Sequence, residues 1–242
     1  MSETGLSQGT GLELRSVSVC YGDANAVSQV SFQVSPGEIV ALLGASGSGK
    51  SSLLRGVAGL EPLAAGQVLW DGQDLVKTPT HLRGFVLMFQ DSQLFPHLNV
   101  SGNIAYGINR LPTAARQARV NELLALVGLP GYGKRRIAEL SGGQAQRVAL
   151  ARSLAPNPRM LLLDEPLSSL DRGLRERLVA ELGTIIRSSG TAAIYVTHDQ
   201  SEAFTLADRV GVLQDGQLLQ FATPDELRRH PASDYVAEFV HA

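Results

Sequence analysis

The chain alternates short apolar runs with segments in which apolar side chains recur at helical spacing. Residues 12–19 and 30–34 place apolar side chains at every second position, which predicts strands with one buried face. We expect these two to be antiparallel edge strands. Residues 38–43 are almost continuously apolar, as in a parallel strand that is buried on both faces. Similar runs predict further buried strands at 85–89, 160–163, 192–196 and 209–213.

A helical insertion interrupts this alternation between about residues 96 and 158. Residues 113–127 form an amphipathic pattern that ends at Gly128 and Pro130. Its apolar positions at i, i+3, i+4 and i+7 are Val120, Leu123, Leu124 and Val127. Further helices are predicted at 52–60, at 144–154, from residue 223 onward and at the C-terminus. Because helices separate the apolar runs, the sequence predicts an α/β fold.

Composition is typical of a globular protein without membrane spans. The 242 residues carry a net charge of −2, with a pI of about 6.2, so no basic surface indicates nucleic-acid binding. Cys20 is the single cysteine, which fits a reducing compartment and excludes intramolecular disulfides. No run approaches the ~20 apolar residues of a membrane span, and residues 1–11 are a polar tail that we expect to be disordered. We therefore expect another chain to supply any membrane contact.

A phosphate-binding loop lies between the strand at 38–43 and the helix at 52–60. Its sequence, Gly44-Ala45-Ser46-Gly47-Ser48-Gly49-Lys50-Ser51, fits the pattern G-x-x-x-x-G-K-[ST], and Ser52 continues it into the helix. Backbone N–H groups of such a loop surround phosphates, and the lysine reaches the outer ones. The alternative, a simple Gly/Ser turn, would not require a lysine and a serine, Lys50 and Ser51, directly after Gly49. The loop therefore predicts binding of ATP or GTP, with the Ser51 hydroxyl on Mg²⁺.

Two adjacent acids, Asp164 and Glu165, follow the apolar run at 160–163. Acids also occur as helix caps, but the upstream phosphate loop favours a catalytic interpretation. Asp164 is placed to bind the metal, usually through water, and Glu165 to polarise the attacking water. The second carboxylate predicts hydrolysis in addition to binding.

A second anion-binding element precedes the helix at 144–154. Leu140-Ser141-Gly142-Gly143-Gln144 places a hydroxyl and two side-chain-free amides at the end where the helix dipole favours an anion. With these three motifs in this order, residues 12 to 241 resemble the ATP-binding subunits of ABC transporters. In that family, the signature segment of one subunit closes over the nucleotide that the other subunit's loop holds.

The resemblance implies roles for residues that would carry little weight alone. Gln90, at a strand end, would contact the metal and water, although glutamine is common in loops. His198 would be the switch histidine that holds Glu165 and water in line, although a strand-end histidine is often a solvated turn residue. Ser169, Leu170 and Asp171 would form the inter-subunit loop, for which a helix start is the alternative. Tyr21 is a candidate to stack on adenine, or else an edge-strand aromatic.

The resemblance also implies a domain plan. Residues 12–242 would form one ABC ATPase domain, with a P-loop NTPase core and mostly parallel sheet, an N-terminal antiparallel β subdomain and the helical subdomain at about 96–158. Longer importer ATPases continue into a β-rich regulatory domain, which we do not expect here.

The function that we expect is ATP hydrolysis for a bacterial ABC importer, at the cytoplasmic face of the membrane. Two copies, head to tail, would enclose two Mg²⁺·ATP and serve permease subunits and, indirectly, an extracytoplasmic substrate-binding protein. Iron(III) or thiamine is the expected substrate class, ahead of polyamines or sulfate. An exporter or lipoprotein-release ATPase is the alternative, but Phe95-Pro96-His97-Leu98 and Thr197-His198-Asp199-Gln200-Ser201-Glu202-Ala203 resemble the importer versions. A non-transport ABC protein would be expected to carry tandem cassettes, a coiled coil or a basic extension.

Overall fold

The computed structural model describes residues 9–89, 93–168 and 170–241. Across these ranges the helices are all too short or too polar to cross a membrane. The described chain folds into two sheets and eight α-helices, with short 3-10 turns between them.

The N-terminal part forms a four-stranded antiparallel sheet in the order β2-β1-β4-β5. Its strands are β1 (Leu12–Tyr21), β2 (Ala24–Val34), β4 (Ala65–Trp70) and β5 (Gln73–Asp74). The predicted antiparallel β subdomain is therefore confirmed. The expectation that β1 is an edge strand is wrong, because β1 pairs with β2 on one side and β4 on the other. The sequence did not predict β4. Its first three residues are exposed, and they do not form an apolar run.

A six-stranded sheet runs through the centre in the order β10-β9-β3-β8-β7-β6. Its strands are β3 (Ile39–Leu43), β6 (Phe85–Met88), β7 (Met160–Asp164), β8 (Ala192–Thr197), β9 (Arg209–Gln214) and β10 (Gln217–Ala222). All pairs are parallel except the β9–β10 hairpin. The five buried strands expected from apolar runs are all present, and every residue of β3, β7 and β8 is buried.

Helices cover both faces of this sheet. They are α1 (Lys50–Ala58), α2 (Val100–Ala105), α3 (Thr113–Leu126), α4 (Gly142–Leu154), α5 (Arg172–Ser189), α6 (Gln200–Leu206), α7 (Pro224–Arg229) and α8 (Asp234–His241). α1 begins two residues before the predicted start, because Gly49 is its left-handed N-cap and Lys50 is already helical. It ends at Gly59, whose left-handed conformation and backbone N–H close the last turn.

The central strand β3 divides its side chains between two cores. Ile39, Ala41 and Leu43 pack with α2 to α6, whereas Val40 and Leu42 pack with α1 and the antiparallel sheet. This alternation follows from the two-residue period of a strand. Because β3, β8 and β7 are neighbours and parallel, the loops that follow them meet at one edge of the sheet.

Candidate functional site: a nucleotide site at the strand ends

The phosphate loop connects β3 to α1 and lies tightly against neighbouring backbone. A Cβ at Gly44 would lie 2.3 Å from the Leu213 carbonyl oxygen, and a Cβ at Gly49 would lie 2.2 Å from that of Ala26. Gly49 also has φ +95°, in the left-handed region. The two glycines are therefore required by close approach, and they fix the loop between β2 and the β9–β10 hairpin.

Lys50 is buried beneath this loop. Its Nζ donates to the carbonyl oxygens of Gly44 (2.8 Å) and Ala45 (2.7 Å), and contacts the Ser48 hydroxyl at 3.3 Å. Burial lowers the pKa of Lys50, and the charges of Glu165 and Asp164 act in the opposite direction. The ammonium is thus a fixed point charge inside the loop, held by neutral acceptors for which an anionic phosphate would compete.

Ser51 and Asp164 meet across the loop. The Ser51 hydroxyl donates to Asp164 Oδ1 at 2.7 Å, and Asp164 is buried at the end of β7. Burial raises the pKa of Asp164, although the Ser51 hydrogen bond and the charge of Arg55 lower it. Both groups are hard oxygen donors, and a cation would offset the cost of burying the carboxylate. The pair therefore fits Mg²⁺, which prefers such ligands together with phosphate oxygens.

Glu165 and His198 face each other from neighbouring strand ends. His198 Nδ1 lies 3.2 Å from Glu165 Oε2, and the Glu165 backbone N–H donates to the Val196 carbonyl at 3.0 Å. Glu165 has φ +45°, a conformation that costs a non-glycine residue on the order of 1 kcal/mol. Both side chains remain partly exposed. The strained backbone therefore points a carboxylate, already in contact with an imidazole, to the accessible side of the sheet edge.

The segment Leu140 to Gln144 forms a reciprocal cap at the start of α4. The Gln144 N–H donates to Ser141 Oγ at 3.3 Å, and the Ser141 N–H donates to Gln144 Oε1 at 3.1 Å. The helix begins at Gly142, two residues before the predicted start, because Ser141 is the N-cap. Ser141 and Gly142 are exposed, whereas Gly143 is buried against Leu174 and Leu178 of α5.

This segment and the phosphate loop are separate in the chain's hydrogen-bonding pattern. Within the described ranges, no hydrogen bond joins residues 140–144 to residues 44–52. In the described part of the chain, the two predicted anion-binding elements are therefore not joined to each other by hydrogen bonds.

Comparison with known proteins identifies the family. The family model described as "ABC transporter" matches residues 27–168, which include the phosphate loop, the signature segment and the two acids. The chain belongs to the ABC transporter family. The resemblance inferred from the motifs is thereby confirmed.

Individual relatives agree with the family. An Fe(3+) ions import ATP-binding protein of Streptomyces coelicolor is 54% identical over 231 residues, which are 95% of this chain and 66% of the relative. A putrescine transport ATP-binding protein of Escherichia coli K12 is 48% identical, over 95% of this chain and 61% of the relative. The chain therefore spans somewhat less than two thirds of the length of these relatives.

A solved structure confirms the fold. CbiO1 from Clostridium perfringens, part of the ABC transporter complex cbiONQ, matches with a TM-score of 0.85 and 27% identity, covering 93% of this chain and 92% of that chain. The predicted P-loop core with its antiparallel and helical additions agrees with this ABC ATPase neighbour.

The remaining predicted site residues fall into two groups. Gln90 and Ser169 lie outside the described residues, so their roles stay predictions. Leu170 lies against the signature segment, since a Cβ at Gly142 would be 3.2 Å from Leu170 Cδ2. Asp171 caps α5 by accepting from the Leu174 N–H at 3.1 Å. Its side chain therefore has the helix-start role that is the alternative to the inter-subunit loop.

Tyr21 lies at the end of β1 with 41% of its surface exposed. It pairs with Ala24 at the turn into β2, and Ala26, two residues on, touches the phosphate loop at Gly49. Stacking of Tyr21 on a base stays a prediction.

Sequence reasoning gave no individual role to a buried acid of the loop that carries His198. Glu202, in the first turn of α6, is 5% exposed and accepts hydrogen bonds from Tyr195 (2.7 Å) and Thr197 (2.8 Å). A glutamate after an N-cap reads as an ordinary solvated helix-start residue. Glu202 is recognised as part of the site only by its hydrogen bonds to Tyr195 and Thr197 of β8, and these depend on the fold.

Proposed function

We propose that the chain is the ATP-hydrolysing subunit of an ABC importer. The observation that carries the proposal is the contact of Glu165 with His198, 3.2 Å apart, on strand ends beside the Ser51–Asp164 pair. A module that only bound nucleotide would need the loop and its lysine, but not a second carboxylate positioned by an imidazole.

The described residues divide the chemistry among them. Lys50 and the loop amides hold the outer phosphates of ATP, with Ser51 and Asp164 as the ligands of Mg²⁺. Bound there, the ion neutralises charge that develops on the phosphates. Glu165 accepts hydrogen bonds from the attacking water and draws its proton, while His198 fixes the carboxylate. The start of α1 and the ends of β7 and β8 fix these groups relative to one another, and such pre-organisation is how active sites gain much of their rate.

A second copy completes each site in this proposal. The exposed hydroxyl of Ser141 and the amides of Gly142 and Gly143, at the positive end of α4, suit the γ-phosphate of an ATP held by the partner's loop. Head-to-tail pairing would thus enclose two ATP molecules. Because ATP contacts both copies only when they are closed, binding favours closure and hydrolysis reverses it.

We propose iron(III) as the transported substrate, since the Streptomyces coelicolor relative is an Fe(3+) import protein at 54% identity. Polyamine is a second candidate, from the putrescine relative at 48%. ATPase activity of the reconstituted complex with its binding protein decides between them. Iron-loaded binding protein should stimulate turnover, and stimulation by putrescine alone would contradict the iron assignment.

The proposed permease contact is an aromatic surface on the helical subdomain, at the cytoplasmic face of the membrane. Phe95 and Tyr106 stack with centroids 4.4 Å apart, Tyr106 is 54% exposed, and Pro96 and His97 beside them are exposed. Such a patch suits an amphipathic helix from a permease subunit. Tyr106→Asp should abolish co-purification with the permease, whereas Leu82→Asp, at an apolar position elsewhere that is 65% exposed, should not. Equal retention in both variants would place the contact elsewhere.

Glu165→Gln tests the proposed reaction. The amide keeps the size of the side chain but cannot accept the proton, so turnover should fall by about 100-fold or more while ATP still binds. The variant should also accumulate as an ATP-dependent dimer in size-exclusion chromatography. Turnover close to that of the unchanged chain would remove Glu165 from this role.

A further inference from the structure

Arg175 lies on α5 between the two loops that carry Glu165 and His198. Its side chain is largely buried, with 21% exposed. One guanidinium nitrogen, Nη2, donates to the carbonyl oxygens of Leu170 at 2.7 Å and Ser168 at 3.2 Å. Arg175 therefore holds the backbone of the loop that follows Glu165.

The other two guanidinium nitrogens, Nε and Nη1, face two acids of the His198 loop. Nε lies 3.7 Å from Glu202 Oε1, and Nη1 lies 4.0 Å from Asp199 Oδ2. These are ion pairs, too long for hydrogen bonds. Nε is buried and has no hydrogen-bond partner within the described part of the chain. Its nearest paired acid is Glu202, so the electrostatic attraction on this side acts between Arg175 and the buried carboxylate.

Glu202 in turn fixes the residues around His198. Its other oxygen accepts from the Tyr195 and Thr197 hydroxyls, and Thr197 Oγ1 accepts from the Asp199 N–H at 3.0 Å. Burial and the charge of Glu202 raise the pKa of Tyr195, so the phenol stays protonated and donates. Thr197 and Asp199, the residues on either side of His198, are thus both held.

Further hydrogen bonds fix the loop that follows Glu165. The Ser168 hydroxyl donates to the Glu165 carbonyl at 2.9 Å, and Arg175 donates to the carbonyls of Ser168 and Leu170 further along that loop. Leu170, whose carbonyl Arg175 binds, packs against Gly142 of the signature segment. One side chain therefore joins the water-activating pair to the element that is offered to a second copy.

We propose that Arg175 is a positioning residue that keeps Glu165 and His198 aligned and ties both to the signature segment through Leu170. The proposal rests on the hydrolytic function proposed above. The guanidinium has three separate nitrogens, so Nη2 can bind the carbonyls while Nε faces Glu202, which the single nitrogen of a lysine cannot reproduce. Without the guanidinium, the loops that carry Glu165 and His198 can shift independently. Small displacements of reacting groups reduce turnover strongly.

Arg175→Lys, assayed for steady-state ATP hydrolysis, tests the proposal. We expect kcat to fall about 10- to 100-fold. KM and the calorimetric Kd for ATP should stay nearly unchanged, because Arg175 makes no hydrogen bond to the phosphate loop. Arg187→Lys is the matched control. Arg187 lies on the same helix, pairs with Asp208 at 2.9 Å and donates to the Leu206 carbonyl at 3.0 Å, away from the site.

If Arg175 had a purely structural role, both variants would have a lower melting temperature, and their kcat values would be similar to each other. Turnover within twofold of the unchanged chain in Arg175→Lys, or an equal fall of kcat in Arg187→Lys, overturns the proposal. If the unchanged chain does not hydrolyse ATP, or Glu165→Gln hydrolyses it normally, the proposed function itself fails instead.

Glu202→Gln provides a second, independent variant that keeps an oxygen acceptor for Tyr195 and Thr197. It should lower kcat because it removes the charge that Arg175 faces. The double variant with Arg175→Lys should be little slower than the slower single variant, since both interrupt one path. Fully multiplicative losses would show that Arg175 does not act through Glu202, and would contradict the proposal.

Discussion

Burial and charge oppose each other at single residues of this site. Asp164 and Lys50 both have a pKa shifted toward the neutral form, with burial as the largest cause. Their identities were predictable, because a phosphate loop followed by an acidic strand end requires these residue types. The placement of Glu202 and Arg175 was not, because it depends on contacts between distant elements that leave no local pattern.

Asp164→Asn should stabilise the nucleotide-free chain while abolishing hydrolysis. A pKa raised by folding means that Asp164 stabilises the fold only while protonated, and that this contribution is lost as pH rises through the folded pKa. The amide avoids that loss and can still accept from Ser51. The melting temperature of Asp164→Asn should therefore exceed that of the unchanged chain at neutral pH, by roughly 2–4 °C per kcal/mol.

The pH dependence supplies the check on Asp164. The difference in melting temperature between the two chains should shrink toward acidic pH, where Asp164 is protonated. Equal melting temperatures at neutral pH without Mg²⁺ would contradict the cause given for the pKa shift.

Whole elements were predictable where one face of a strand or helix had to be buried. The strands β3, β7 and β8 and the helix α3 follow from apolar spacing alone. By contrast, β4 and β10 were missed, because none of the six residues of β10 is fully buried and half of β4 is exposed. Such strands are defined by hydrogen bonding to a neighbour, which the sequence pattern does not report.

Two glycines of the phosphate loop should differ in how strongly an alanine substitution destabilises the fold. Gly47 and Gly49 both have positive φ, but only Gly49 lies against backbone, with open space around Gly47. Gly47→Ala should cost about 1–2 kcal/mol of unfolding free energy from the left-handed conformation alone. Gly49→Ala should cost clearly more, because the Ala26 carbonyl must also move. Denaturant unfolding measures both, and an equal loss would argue against the close approach.

At the scale of the whole molecule, the proposal gives one chain two half-sites. The order of the motifs predicted both of them, because each is a local sequence pattern. Their separation could not be predicted, since it depends on how the helical subdomain packs on the sheet. Exposed Ser141 and Gly142, without hydrogen bonds to the phosphate loop of their own chain in the described ranges, require a second copy in the proposed reaction.

ATP turnover in a mixture of two inactive variants tests this central claim most directly. Ser141→Arg spoils the signature segment and leaves its own loop intact, whereas Lys50→Ala spoils the loop and leaves the signature segment intact. A mixed dimer contains one composite site that carries neither change. The account predicts turnover in the mixture well above that of either variant alone. Turnover in the mixture equal to the average of the separate variants would show that the two copies do not share a composite site, and would contradict the account.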